Sequence, residues 1–218
     1  MYQGLDETAP PVFIGSALSP MNHPLLIVPG YRGSGPDHWQ SWLHANVAGS
    51  RRLDEVDWNE PILEKWSAVI TRELDKAHAP VCLVAHSFGC LAALHAAARR
   101  ARRVAGALLV APADPDRFSP VGLRTLADEA ARESIAQQLP RRPLPFPVSI
   151  VVSRNDPWIG FAKSVYLASL WGGRLIDAGH AGHINAASGY GPWPEIASML
   201  RALSGKIAAE LVASETLV

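Results

Sequence analysis

The chain has 218 residues, 48% of them apolar and 18% charged, with 20 Lys+Arg set against 20 Asp+Glu. That balance fits one globular domain and excludes a disordered chain. It also argues against a nucleic-acid or membrane-surface binder, which would need a basic face. No apolar run approaches the length of a bilayer span. The start lacks the basic segment of a secretory signal. Cys82 and Cys90 fall inside apolar segments and read as buried free thiols. These features make a cytoplasmic protein the expectation.

Residues 1–22 have no clear period and read as an irregular lead-in, with a short strand near Val12–Ile14. Leu25–Val28 is a short apolar run closed by Pro29-Gly30, as expected of a strand buried on both faces. Trp39, Trp42, Leu43 and Val47 recur at helical spacing behind Pro36. Leu53–Trp58 reads as a short strand, and Ile62 to Leu74 as an amphipathic helix. Val81–Ala85 is a second buried strand and Phe88–Arg103 a helix whose last turn holds four arginines, a solvated end favoured by the helix dipole. Val104–Val110 and Val148–Val152 are further strands. Ile159–Trp171 is a helix stopped by Gly172-Gly173. Leu175–Asp177 is the last strand and Pro192–Leu203 the last long helix. The Pro- and Arg-rich segment Ala113–Pro147 interrupts this rhythm, and a crossover helix is expected near Leu123–Leu139.

Strands without a two-residue period, alternating with helices, predict a doubly wound α/β domain with a mostly parallel sheet of about six strands. The domain is expected over 23–205, followed by a helical tail over 206–218. Little chain remains for a cap.

Ala85-His86-Ser87-Phe88-Gly89 joins a predicted strand to a predicted helix. A small-x-Ser-x-Gly turn there lifts a serine hydroxyl to the sheet's carboxyl edge, next to helix N–H groups that favour negative charge. Helix capping alone is the competing reading of Ser87. A nucleophilic serine needs a later acid and then a histidine. Asp156, in Ser153-Arg154-Asn155-Asp156-Pro157, follows a strand, although it also suits a helix N-cap. Asp114 and Asp116 are rivals. Gly179-His180-Ala181-Gly182-His183 offers two candidate bases after the last strand. A metal site on Asp177, His180 and His183 has unfavourable spacing. His86 is expected to be a packed or hydrogen-bonded histidine on the other face. The loop Gly30-Tyr31-Arg32-Gly33-Ser34-Gly35 has the wrong glycine order for a nucleotide cradle. Its Tyr31 N–H, with that of Phe88, could instead form an oxyanion hole, with Gly30 letting substrate approach.

Four motifs carry a resemblance. They are Pro29–Gly35 with His38-Trp39-Gln40, then Ala85–Gly89, then Ser153–Pro157, and finally Gly182-His183-Ile184-Asn185 running on to Trp193-Pro194. In this order they resemble the retinoblastoma-binding protein 9 family of small α/β-hydrolases. The resemblance implies an α/β-hydrolase fold with little or no cap. It also implies a triad of Ser87, Asp156 and His183, favouring Asp156 over Asp114 and Asp116, and His183 over His180. The expected activity is serine hydrolysis of small esters, amides or thioesters, without a cofactor or metal. Tyr31, Phe88 and Trp158 are expected near the pocket mouth. A non-catalytic interaction module and an acyltransferase on the same residues are the alternatives.

Overall fold

A computed structural model describes residues 22–125 and 133–215. Six strands form one parallel sheet: β1 (Leu25–Val28), β2 (Arg51–Arg52), β3 (Val81–His86), β4 (Val104–Val110), β7 (Val148–Val152) and β8 (Arg174–Asp177). Their spatial order is β2-β1-β3-β4-β7-β8. The helices are α1 (Trp39–Asn46), α2 (Leu63–Lys76), α3 (Phe88–Arg99), α4 (Phe161–Leu170) and α5 (Ile196–Glu215). A separate two-stranded antiparallel ribbon, β5 (Phe118–Ser119) and β6 (Gly122–Leu123), lies between β4 and β7 in the chain.

The alternation of side chains along each strand divides the core in two. Leu26, Val28, Leu83, Ala85 and Leu109 face α2 and α3, where Trp66, Ile70, Leu74 and Leu91 pack. Leu25, Ile27, Cys82, Val84, Leu108 and Val110 face the other way, onto Trp39 and Leu43 of α1 and Leu200, Leu203 and Ile207 of α5. Every residue of β1, β3, β4 and β7 is buried. This is why these strands lack a polar face in the sequence.

The chain passes from β1 outward to β2 and then returns to place β3 on the other side of β1. Such a reversal opens a crevice at the carboxyl ends of the two central strands. The register puts Val28 beside Ala85 and His86 beside Val110. It also sets Val152 beside Asp177. The loops that follow β1, β3, β7 and β8 therefore emerge along one edge.

Some expected elements differ. The second strand is Arg51–Arg52, extended by Leu53 N–H donating to Ile27 O at 2.8 Å, and not Leu53–Trp58. Trp58 instead packs edge-on against Trp66 at 5.1 Å, so its hydrophobicity serves a loop. The helix expected to reach Arg103 ends at Arg99, because Arg100 leaves helical geometry and a 3₁₀ turn follows. Arg99 and Arg100 pair with Glu64 and Asp75 at the surface. The helix expected near Leu123–Leu139 is a ribbon strand at one end and a 3₁₀ turn, Ile135–Gln138, at the other. Its middle lies outside the described residues, as does the expected strand near Val12–Ile14. The last helix begins at Ile196 and continues to Glu215, across the expected boundary at residue 205.

Gly89 sits where α3 crosses the end of β1. A Cβ there would lie 2.2 Å from Pro29 O and 2.8 Å from Val28 O, both backbone atoms that cannot move aside cheaply. Gly205, within α5, has open space around it. In denaturant titrations Gly89→Ala is expected to destabilise by about 3 kcal/mol or more through overpacking. Gly205→Ala is expected to stabilise by about 0.5–1 kcal/mol.

Candidate active site

Ser87 is the single residue between β3 and α3, at φ 54° and ψ −127°. Side-chain-bearing residues rarely adopt positive φ, and such strain is retained where surrounding packing fixes it. Here Ser87 N–H donates to Val110 O at 3.1 Å. Gly89 admits the β1 backbone below. On the adjoining side a Cβ on Gly30 would come within 2.8 Å of Ser87 Cβ. Gly30 thus lies against the serine rather than in the cavity wall.

Ser87 Oγ lies 2.8 Å from His183 Nε2. His183 Nδ1 lies 2.9 Å from both carboxylate oxygens of Asp156. All three residues are buried. Asp156 follows β7, and its Oδ1 also accepts from Trp158 N–H at 2.8 Å. That bond closes a turn and not a helix N-cap, because α4 starts only after Gly160, so the capping alternative for Asp156 does not hold. Asp114 and Asp116 are engaged elsewhere, both paired with Lys163 on α4. His180 is exposed and outside the cavity wall, so the structure brings His183 and not His180 to the serine.

The loop carrying His183 is held from several directions. Asn155 Oδ1 accepts from Gly182 N–H at 2.8 Å, and Ser153 Oγ accepts from Ala181 N–H at 3.0 Å. Ser188 Oγ accepts from His183 N–H at 3.1 Å. Two buried rings then grip successive carbonyls: His86 Nε2–H donates to His183 O at 2.9 Å, and Trp39 Nε1–H to Ile184 O at 2.9 Å. On the opposite flank Gln40 Nε2 donates to Val28 O at 3.0 Å, and Ser34 Oγ donates to Gln40 Oε1 at 2.6 Å. In the sequence Trp39 stands out by its helical spacing, and His38 and Gln40 only as part of a motif. Their work depends on contacts with residues more than a hundred positions away for Trp39, which spacing along the chain does not reveal.

A cavity of about 350 Å³ opens above the serine, walled in part by Tyr31, Arg32, His38, His86, Trp158 and His183. Trp158 and Tyr31 meet edge-on at 6.2 Å. Phe88, by contrast, turns its ring into the core between Trp66 and Phe118 and takes no part in the wall. As the first helical residue, Phe88 has an N–H with no intrahelical acceptor. Tyr31 N–H has no backbone acceptor among the described residues. His86 reaches the cavity as well as bonding the histidine loop, because β3 ends at its position and no further strand residue shields the ring.

His38 and His86 are neutral. Burial, then the nearby Arg52 and His183, lowers His38 from its ordinary value of 6.5 to about 4. Burial, followed by His183 and His38, holds His86 well below the ordinary imidazole range. Burial also pushes the Cys82 thiol up to about 12 and raises Cys90. Neither cysteine supplies a reactive thiolate at neutral pH. Among the described residues, no group of three or more His, Cys, Asp or Glu could hold a metal, and no helix is long and apolar enough to cross a membrane.

A parallel sheet wound on both faces, with this serine turn at its carboxyl edge, is the α/β-hydrolase fold. The chain matches the serine hydrolase family over residues 25–202 and belongs to that family. It is 27% identical to the Bacillus subtilis (strain 168) protein YdeN over 201 residues, covering 85% of this chain and 98% of that one. A YdeN-like protein of Pectobacterium atrosepticum is 35% identical in its solved structure. The match covers 84% of this chain and 91% of that one, at a TM-score of 0.74. An α/β-superfamily protein of Xanthomonas campestris shares the fold at 19% identity and a TM-score of 0.51, over 88% and 99% of the two chains.

The two neutral histidines make stability depend on pH. The unfolded chain binds the protons that folded His38 and His86 refuse. Their penalty is absent above about pH 6.5 and grows as pH falls toward about 4. The thermal midpoint is expected to drop on acidification over this window. His38→Asn, which keeps a capping acceptor, should show a shallower drop in scanning calorimetry. An equal slope in both proteins would contradict the burial argument.

Proposed function

We propose that the protein hydrolyses small esters, amides or thioesters through an acyl-enzyme on Ser87. One observation carries this reading. A buried serine, histidine and carboxylate are joined end to end at 2.8 Å and 2.9 Å, beside a cavity of about 350 Å³. The motifs resembling the retinoblastoma-binding protein 9 family support the same roles, as does membership of the serine hydrolase family.

His183 Nε2 takes the hydroxyl proton as Ser87 Oγ attacks the acyl carbon. Asp156 fixes the tautomer with the proton on Nδ1 and stabilises the imidazolium. The carbonyl oxygen becomes an oxyanion, held by Tyr31 N–H and Phe88 N–H. Such a donor is worth about 3–4 kcal/mol in the transition state. The intermediate collapses, its carbon–heteroatom bond breaks, and His183 returns the proton to the departing alcohol, amine or thiol. Water then repeats the sequence on the acyl-enzyme and frees the acid. Trp158 and Tyr31 offer flat apolar surface to the acyl group, so uncharged acyl chains are the substrates expected to fit.

Turnover of p-nitrophenyl esters tests these roles. Ser87→Ala and His183→Ala should each lower kcat by at least about a thousandfold. His180→Ala should stay within about threefold of the parent, as surface substitutions away from a site do. Near-parental turnover by His183→Ala, or its loss in His180→Ala, would overturn the assignment of the base.

A further inference from the structure

Among the described wall residues, His38 is the one with a buried side-chain nitrogen that has no hydrogen-bond partner. It caps α1: its Nδ1 accepts from Gln40 N–H at 3.1 Å. A ring nitrogen that accepts carries no proton, so in the neutral ring the hydrogen is on Nε2. His38 is 5% exposed, and its Nε2 is buried with no hydrogen-bond partner. The ring is enclosed by Trp39 at 5.4 Å and by His86 at 4.9 Å. Its remaining boundary is the cavity wall that it shares with Ser87 and His183. Buried polar groups in native structures are nearly always paired, and an orphan calls for a specific explanation.

The neighbouring polar groups do not provide one. His86 Nε2–H already serves His183 O, and Nδ1, the acceptor on the same ring, makes no hydrogen bond with His38 Nε2. Ser34 Oγ serves Gln40, and Asn185 Oδ1 accepts from Ser188. An acceptor for His38 must therefore arrive through the cavity. The wall carries one cation, Arg32, and one anion, Asp37, while the nearby Arg52 spends its guanidinium hydrogens on Ser41 Oγ and Ser34 O. A neutral oxygen meets the requirement.

Resting on the acyl-hydrolase reading above, we infer that His38 is a substrate-binding residue whose Nε2–H donates to a second, uncharged oxygen of the substrate, apart from the scissile carbonyl. The substrate class is thereby narrowed to esters, amides or thioesters bearing an ether, hydroxyl or further carbonyl oxygen. A site with a buried donor rejects the analogue that lacks the acceptor, because the donor is then left unpaired.

The test uses two isosteric pairs. p-Nitrophenyl methoxyacetate and butyrate differ by an oxygen for a methylene on the acyl side. 2-Methoxyethyl acetate and butyl acetate differ in the same way on the alcohol side. The readout is the ratio of kcat/KM within each pair, compared between the parent and His38→Asn, so intrinsic reactivity cancels. Asn keeps the capping acceptor and removes the Nε2–H. In one pair the variant should lose about tenfold of the parent's preference for the oxygen-bearing ester. Unchanged ratios in both pairs, with turnover intact, overturn the inference about His38 alone. Absence of turnover of all four esters by the parent overturns the hydrolase reading with it. If His38→Asn does not fold, the imidazole ¹H–¹⁵N spectrum of Ser87→Ala supplies the decision. The His38 Nε2–H signal should move with an oxygen-bearing ester and not with its alkyl partner. A signal that moves with neither overturns the inference.

Discussion

The site depends on one strained residue. Ser87 turns the chain from β3 into α3 within a single residue, at a φ of 54°. Positive φ of this kind costs on the order of 1–3 kcal/mol and survives only where neighbours over-determine it. Here the constraint comes from how closely two backbones approach. Gly89 lets α3 rest against Val28 O and Pro29 O. Gly30 lets the loop after β1 lie on the serine itself. Tyr31 and Phe88, whose N–H groups are the proposed oxyanion donors, are the chain neighbours of Gly30 and Ser87 at this close approach. Strain and closeness are one geometric fact.

The other half of the site is a loop that must be held still. Gly179–Asn185 has no regular structure of its own, yet His183 must meet both Ser87 and Asp156. Its backbone is therefore bonded from outside. The acid loop supplies Ser153 and Asn155, and the opposite face of the sheet supplies Trp39 and His86. A base carried on a loop becomes as well placed as one on a strand when its amides and carbonyls are committed in this way. His86 and His38 fill the space between that loop and α1 as neutral rings. A third and a fourth charge-bearing group beside His183 are thus avoided.

Much of this was legible in the residues. Buried strands announced themselves because both their faces are apolar, and β1, β3, β4 and β7 were found within a residue or two. Ser87 was legible because a small residue and Gly89 flank it at a strand-to-helix junction. The choice of Asp156 and His183 came from the family resemblance, since Asp114, Asp116 and His180 satisfied the same local rules. What separates them is tertiary: Lys163 occupies both rival acids. β2 lies earlier than expected: Leu53, Val56 and Trp58 make 53–58 look apolar enough for a strand, although the pairing with β1 is made by Arg51 and Arg52. The bond from Trp39 to Ile184 O and the packing of His38 on His86 were not legible, since both depend on partners brought near by the sheet's winding.

The central claim is that the strained serine is the nucleophile. The most direct measurement is peptide mapping by mass spectrometry after reaction with a fluorophosphonate, which phosphonylates an activated serine and releases fluoride. The account predicts one adduct, on Ser87, that heat-unfolded protein does not form. An adduct elsewhere in the folded protein, or none, would contradict it.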